Sequence, residues 1–317
     1  MTLEKLQVFA GNANRALAQR VCDRLELPLG DVLINRFPDG EINVKINDDV
    51  RGRDVFIVQP TCPPVNDNLI ELLLLIDTVK RASAARITAV IPYYGYARKD
   101  RKDEGRVPIS AKLVANLITT AGADRVVCVD LHAPQIQGFF DIPVDHLYSS
   151  PVLTGHFKRL GLADIADGCI VAPDVGGIKQ ARAYAKLLGL SLAVVDKRRV
   201  SPDQAKAMHV IGEVEGKRCV LVDDMISTGG TIAEAANALR NHGAREVHVC
   251  ATHAVFCGPA KERLEGAKLA SIVVTDTIPQ GDATPKGVTT LSVGDLLGDA
   301  ILRIHQGRSV SKLFPNL

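Results

Sequence analysis

The strongest constraint in this chain is an alternation that runs along nearly its whole length. Short runs rich in β-branched and aliphatic residues recur: LQVFA, VFIVQP, ITAVIPYY, RVVCVDL, CIVAPD, LAVVDK, RCVLVDD, EVHVCATHA and SIVVTDT. Between them lie stretches with apolar residues at helical spacing, such as NLIELLLLIDTVKRASA and ISAKLVANLITTAGA. A near-continuous apolar run suits a strand covered on both faces, and a helix between two such strands is the crossover that a parallel pair requires. The fold class that follows is α/β, with mainly parallel sheets flanked by helices. One segment breaks the rhythm. DVLINRFPDGEINVKI reads strand, turn, strand with PDGE at the bend, so a β-hairpin is expected to project from the first sheet.

At 317 residues the chain has room for two domains of ordinary size, and its halves echo each other. TTAGADRVVCVDLHA (119–133) resembles RNHGAREVHVCATHA (240–254), each a helix end, a Gly-Ala turn, a β run and a closing His-Ala. Two tandem α/β domains are expected, 1–148 and 149–317, with the boundary at DHLYSSP. Hydrophobic residues at 46% and charged ones at 23% exclude a disordered chain, and a formal charge of +2 gives no ground for nucleic acid as a partner. No apolar run reaches the roughly 18 residues of a membrane span, and the polar start MTLEKLQVFAGNANR is unlike a signal peptide, so a cytoplasmic location is expected. Seven cysteines, an odd number without a CxxC pair, fit reduced thiols rather than a disulfide framework or zinc ribbon.

The most specific stretch is VLVDDMISTGGT (220–231). Its aliphatic start suits a buried parallel strand, and Asp223 and Asp224 fall where that strand should leave the sheet, the edge at which α/β folds bind ligands. The turn Ser227, Thr228, Gly229, Gly230, Thr231 then opens a helical run, so backbone N–H groups and the helix dipole favour an anion there. Acids on one side and an anion cradle on the other suit a ligand with both hydroxyls and a phosphate. The acids would take the 2- and 3-hydroxyls of a ribose, and the turn its 5-phosphate. Neither a Walker A loop nor a GxGxxG occurs.

Other candidates admit two readings each. His132, just past VVCVD, is a metal ligand or a strand cap; Asp174, ending IVAPD beside Gly176 and Gly177, is a site carboxylate or a turn acid. Phe37, Asp39 and Glu41 alternate at the hairpin tip, where an aromatic and two acceptors suit a purine and PDGE also suits a solvated turn. Arg98, Lys99, Arg101 and Lys102 make a basic cluster that attracts polyphosphate or is merely solvated. Lys197, Arg198 and Arg199 end a strand and lead into a polar segment that reads as a mobile loop with a basic root.

VLVDDMISTGGT resembles the phosphoribosyl-diphosphate binding motif that phosphoribosyltransferases and ribose-phosphate diphosphokinases share, and by itself does not choose between them. VVCVDLHAPQIQGFFDIPVDHL (126–147) resembles the signature of the ribose-phosphate diphosphokinases, and RFPDGE, YYGYARKDRK, PISAKLVANL, APDVGG and VTDTIPQ match that family in the same order. The resemblance covers essentially the whole chain. It implies two tandem phosphoribosyltransferase-type domains and an enzyme that moves the β,γ-diphosphoryl group of ATP to ribose 5-phosphate, giving 5-phosphoribosyl 1-diphosphate and AMP. It also implies Mg²⁺ held at His132 and Asp174, and Lys197 and Arg199 as catalytic residues. Phe37, Asp39, Glu41, Arg98, Lys99 and Asp103 would bind ATP, with the hairpin reaching a neighbouring subunit. Asp223, Asp224 and the residues from Ser227 to Thr231 would bind ribose 5-phosphate. A homo-oligomer, commonly a hexamer, with phosphate and ADP as effectors near Ser309 and Ser311, is implied as well. Two departures stand out: the family usually has glutamine where Lys99 stands, and many members have aspartate where Ser227 stands. A phosphoribosyltransferase would have no use for the His132 signature or the Lys197 loop, and a non-catalytic subunit would not need Lys197, Arg199 and His132 together.

Overall fold

The computed structural model describes residues 5–161, 167–198 and 207–314. The chain forms two compact units. Unit 1 contains the residues up to Tyr148 together with Thr277–Pro279 and the stretch from Ser292 on, and unit 2 contains Ser149–Asp276 and Gln280–Leu291.

In unit 1 the elements begin with β1 (Leu6–Ala10), α1 (Arg15–Leu25), β2 (Val32–Arg36), β3 (Ile42–Ile46) and β4 (Asp54–Val58). They continue with α2 (Val65–Arg81), β5 (Arg86–Ile91), α3 (Ser110–Ala121), β6 (Arg125–Val129) and β7 (Val144–Leu147). A five-stranded sheet in the order β1-β4-β5-β6-β7 is parallel throughout. The strand period of two shows directly in β4. Val55 and Ile57 face a core built with α2 and α3, whereas Phe56 and Val58 face the opposite core. α2 presents Leu69, Leu72, Leu75, Ile76 and Val79 to that first core at helical spacing, with Asp67 in its first turn and Lys80 and Arg81 in its last, matching the helix dipole at both ends. β2 and β3 pair antiparallel as a separate two-stranded sheet packed on α2, so the hairpin is not hydrogen-bonded to the main sheet.

Unit 2 holds α4 (Ser150–Arg159), β8 (Gly168–Ala172), α5 (Ile178–Leu188), β9 (Ser191–Arg198), β10 (Ala207–Ile211) and β11 (Arg218–Ile226). α6 (Gly230–Asn241), β12 (Glu246–Ala254), α7 (Ala260–Gly266), β13 (Ser271–Thr275) and β14 (Val288–Leu291) complete it. Its seven strands run in the order β10-β9-β8-β11-β12-β13-β14, with only β10 antiparallel to its neighbour. α6 and α7 cover one face and α4 and α5 the other. Among the described residues no helix is long and apolar enough to cross a membrane.

The sequence reading carries the second domain to residue 317, and here the structure differs. The last helix, α8 (Gly294–His305), packs on α1 in unit 1. Small residues make the approach close: a Cβ at Gly294 would come within 2.8 Å of Arg20 Cβ, and one at Gly298 within 2.7 Å of Arg24 Cγ. A polar latch then fixes the helix end. The buried His305 places Nδ1 2.7 Å from Asp54 Oδ2, while Arg86 Nε donates to Asp54 Oδ1 at 2.8 Å and its guanidinium reaches the Ile304 carbonyl at 3.2 Å. Removing Asp54 would leave both partners without their shared carboxylate. Asp54→Ala is expected to cost about 3 kcal/mol and Asp54→Asn clearly less, as measured by urea unfolding of the two variants beside the parent. Equal midpoints for Asp54→Ala and parent would mean that the latch contributes nothing.

Candidate active site

In unit 2 the candidate residues cluster at the carboxyl edge of the sheet because β11 outruns β8. β8 pairs with β11 from Gly168 opposite Arg218 to Val171 opposite Leu221, and β8 ends at Ala172. β11 continues to Ile226, held on its other side by β12, with Asp223 opposite Ala251 and Met225 opposite His253. Asp223 and Asp224 are thus still in the strand, three and two residues before its last residue, at the point where it leaves the sheet on the β8 side. They emerge because β8 has stopped beside them. Asp223 Oδ1 accepts the Asp224 N–H at 2.9 Å.

The electrostatics of this acid pair are unfavourable. Burial holds the Asp223 carboxyl well above the usual carboxylate range, the neighbouring Asp224 charge and side-chain hydrogen bond push the same way, the Asp224 backbone N–H opposes them, and the Asp174 charge adds to the rise. Asp174 itself is exposed just past β8, and its Oδ1 accepts the Gly177 N–H at 3.1 Å, an arrangement that leads into α5. Two nearby carboxylates and a desolvated third are what a cation or a set of sugar hydroxyls would relieve.

After β11 the chain turns sharply. Phe256 N–H donates to the Ile226 carbonyl and Cys257 N–H to the Ser227 carbonyl, both at 3.0 Å, and Arg263 reaches the Thr228 carbonyl at 3.3 Å. Gly229 takes φ +72° and stands at the N-cap of α6, where a Cβ would lie 3.1 Å from Leu264 and 3.4 Å from the Ala260 carbonyl. Glycine is required there both for the left-handed backbone and for the close packing on α7. It offers no side chain to cap the helix. The dipole and first-turn N–H groups of α6 therefore meet the loop from Ser227 to Thr231 at an anion-favouring end.

Lys197 lies in β9, its backbone paired with Met208 of β10. The sequence reading has a polar loop continuing to VIGEV; the structure forms β10 from Ala207, so the basic segment is rooted in an antiparallel pair. Arg199 lies outside the described residues.

Unit 1 carries the other candidates. β6 stops at Val129 because Asp130 adopts φ +39°, a left-handed backbone that cannot continue a strand. His132 follows, exposed beyond the sheet edge. The sequence reading missed what holds this turn: Leu131 N–H donates to His146 Nε2 at 2.9 Å, Asp130 N–H to the Leu147 carbonyl at 2.9 Å, and Gln137 lies 3.1 Å from His146 Nδ1. The only signal for His146 is its place within the quoted signature. On the loop after β5, Lys99 Nζ contacts both Asp103 oxygens at 2.9 Å, a pairing that raises the Lys99 pKa and lowers that of Asp103 through their hydrogen bond. Two residues implied for ATP thus answer each other's charge, while Arg98 is exposed beside them.

At the hairpin tip, Phe37 N–H donates to the Glu41 carbonyl at 2.9 Å, Gly40 N–H to the Phe37 carbonyl at 2.9 Å, and Glu41 N–H to Asp39 Oδ1 at 3.1 Å. The turn therefore occupies all of 37–41, and strand alternation does not place Phe37, Asp39 and Glu41 on one face as the spacing suggests. Phe37 remains 50% exposed.

These two unit architectures and the edge motifs they carry agree with comparisons against known proteins. Residues 6–122 match the family described as the N-terminal domain of ribose phosphate pyrophosphokinase, and residues 198–315 match the phosphoribosyl synthetase-associated domain. A ribose-phosphate pyrophosphokinase of Rhodopirellula baltica is 56% identical over 98% of this chain and 99% of its own. One of Thermotoga maritima is 54% identical over 98% of both. The crystal structure of phosphoribosylpyrophosphate synthetase from Mycobacterium smegmatis superposes with a TM-score of 0.90 at 44% identity, covering 96% of this chain and 99% of that one. The chain belongs to the ribose-phosphate pyrophosphokinase family.

The raised Asp223 carboxyl makes a signed prediction. A carboxyl whose folded value lies above its unfolded value of about 3.9 contributes stability that is full below that value and is lost as pH rises through the folded value. Asp223→Asn keeps an acceptor for Asp224 N–H and removes the buried charge. It is expected to melt roughly 2–4 °C above the parent at pH 8, the gap closing as pH falls toward 4, while turnover drops. Calorimetry of both proteins across that range checks it; a constant gap would exclude Asp223 titration as its cause.

Proposed function

We propose that the protein transfers the β,γ-diphosphoryl group of ATP to the 1-hydroxyl of ribose 5-phosphate, giving 5-phosphoribosyl 1-diphosphate and AMP. The observation that carries this reading is the end of β11 in a chain of this family: an acid pair uncovered where β8 stops, followed at once by a glycine-capped helix N-terminus. The sugar oxygen attacks the β-phosphorus, the bond from that phosphorus to the α,β-bridging oxygen breaks, and AMP leaves with the electron pair. Positioning and charge stabilisation supply most of the catalysis in such a transfer.

Asp223 and Asp224 accept from the 2- and 3-hydroxyls, and the loop from Ser227 to Thr231 takes the 5-phosphate on backbone N–H groups and hydroxyls. Ser227 keeps a donor where many relatives have a carboxylate. Lys197 and Arg199 offset charge developing on the transferred group, about 3 kcal/mol each if they act as preorganised donors do. Arg98, Lys99 and Asp103 hold ATP phosphate and ribose groups, with Lys99 charge shared between Asp103 and the nucleotide. The half-exposed Phe37 has unburied apolar surface on its hairpin tip, which suits stacking on adenine in a neighbouring copy and so a homo-oligomer such as a hexamer. Phosphate and ADP as effectors at the Ser309 and Ser311 end, and a cytoplasmic location, belong to the same reading.

Mg²⁺ fits the donors present. Asp174 is exposed, its charge is felt at Asp223, and His132 presents an exposed imidazole. An exposed carboxylate and an exposed imidazole suit an ion held by one or two protein groups and substrate phosphates. The ion, when bound, neutralises phosphate oxygens.

The test of the reaction is its nucleotide product: AMP from ATP only when ribose 5-phosphate is added. ADP would indicate an ordinary kinase, and no turnover a non-catalytic subunit. Within that assay, Lys197→Ala is expected to lower kcat by about two to three orders of magnitude with little change in KM; loss confined to KM would remove Lys197 from transition-state stabilisation. The halves of the β11 motif should also separate. Thr228→Ala should impair discrimination against unphosphorylated ribose, and Asp224→Asn discrimination against 2-deoxyribose 5-phosphate. Identical selectivity profiles would sink that division.

A further inference from the structure

At the amino edge of the unit 2 sheet, opposite the end that carries the acids, two cysteines face each other. Cys169 on β8 and Cys219 on β11 are register partners in adjacent parallel strands. Their side chains enter the same core, the one covered by α6 and α7, while the flanking Ile170 and Val220 enter the other. Register partners in neighbouring strands sit roughly 4.8 Å apart, within the window of about 4.4–6.8 Å between Cα atoms that a disulfide spans. Among the described cysteines this juxtaposition is unusual. Cys250 stands beside Val222 and Val273, and Cys128 beside Ile91 and His146.

We propose that Cys169 and Cys219 form a redox-active dithiol, a modification site that hydrogen peroxide converts to a reversible disulfide tying β8 to β11. The surroundings favour attack by Cys169. Cys219 and Ser191 flank Cys169 as its register partners on β11 and β9, Lys217 Nζ donates to Ser191 Oγ at 3.2 Å, and the Cys169 thiol donates to the Ile170 carbonyl at 3.6 Å, so a polar side chain and a cation stand beside one thiol. These neighbours lower the Cys169 pKa, and sharing the proton raises that of Cys219. Burial instead raises the thiols of Cys22, Cys62 and Cys128, making them poorer nucleophiles.

The chemistry closes on itself. The Cys169 thiolate attacks one peroxide oxygen, the O–O bond breaks, and the departing hydroxide takes a proton to become water, leaving a sulfenic acid. The Cys219 sulfur then attacks the Cys169 sulfur; the S–S bond forms, the S–O bond breaks, and the hydroxyl leaves as water with the Cys219 proton. Two thiols and one peroxide give one disulfide and two waters, with two electrons passing from sulfur to oxygen. Both thiols are fully buried, and Ser191 beside them is exposed at the sheet edge, so the reaction is gated by opening of that edge and is slow relative to the half-exposed Cys257.

The experiment treats the full chain carrying Cys257→Ser with graded hydrogen peroxide over hours, blocks remaining thiols with N-ethylmaleimide, and maps peptides by mass spectrometry. The expected product is a Cys169–Cys219 linked peptide pair that dithiothreitol separates. Cys219→Val, which keeps the apolar face filled, should instead accumulate a Cys169 sulfenic acid that dimedone labels. Cys169→Ser should yield neither product. Recovery of Cys169 and Cys219 as free thiols while Cys128 and Cys250 oxidise would overturn the proposal, as would equal dimedone labelling of all buried cysteines.

Discussion

A parallel strand covered by helices on both faces has only its ends available to a ligand, and the rest of this molecule follows from that restriction. Every central strand is committed along its length to neighbours and to two cores, as the alternation of β4 and β11 between opposite cores illustrates. Chemistry is therefore confined to where a strand stops or outlasts its neighbour. β11 outlasts β8, and the residues it carries past that point are two aspartates. The site is a consequence of unequal strand lengths as much as of the acids themselves.

The same arrangement sets stability against function. Asp223 stays hydrogen-bonded within the strand, yet burial and the charges of Asp224 and Asp174 hold its carboxyl above the usual range. A protein selected only for folding would not collect three carboxylates there; one that must bind hydroxyls and a cation gains from acceptors already desolvated and in place. Gly229 shows a related compromise, giving up a capping side chain to take a left-handed backbone against α7 and leave the helix end to a ligand. The exposed Phe37 tip is a third, since its apolar surface is uncompensated in a single chain.

Much of this was legible in the sequence, for physical reasons that differ by element. Strands covered on both faces announce themselves as apolar runs, so the central strands and the long helices α2 and α3 could be read directly. Three outer strands could not. β7 and β14 are four residues long and half-polar, and β10 forms where the reading continued a loop, through its pairing with β9. The placement of α8 in unit 1 was also hidden: Gly294, Gly298 and His305 are ordinary residues in isolation, and only their fit to Arg20, Arg24 and Asp54 gives them meaning. At the site, residue types were legible and their partners were not. Nothing in YARKDRKD says that Lys99 closes on Asp103, nor does the signature say that His146 holds the Leu131 amide.

The internal echo shows how one element is turned to two uses. TTAGADRVVCVDLHA and RNHGAREVHVCATHA begin alike, as a helix end, a turn and a parallel strand. In unit 2, β12 runs on for nine residues through an irregularity between Ala251 and His253, and His253 is buried within the strand. In unit 1, β6 stops after five because Asp130 takes a left-handed backbone, and His132 emerges exposed. The closing histidine is therefore core in one copy and edge in the other, while the alanine after it is buried in both. What separates them is a single backbone conformation, secured in unit 1 by hydrogen bonds from Asp130 and Leu131 to the β7 segment. Sequence similarity between the copies identifies the shared scaffold, and the strand-ending residue decides which histidine is exposed at the sheet edge.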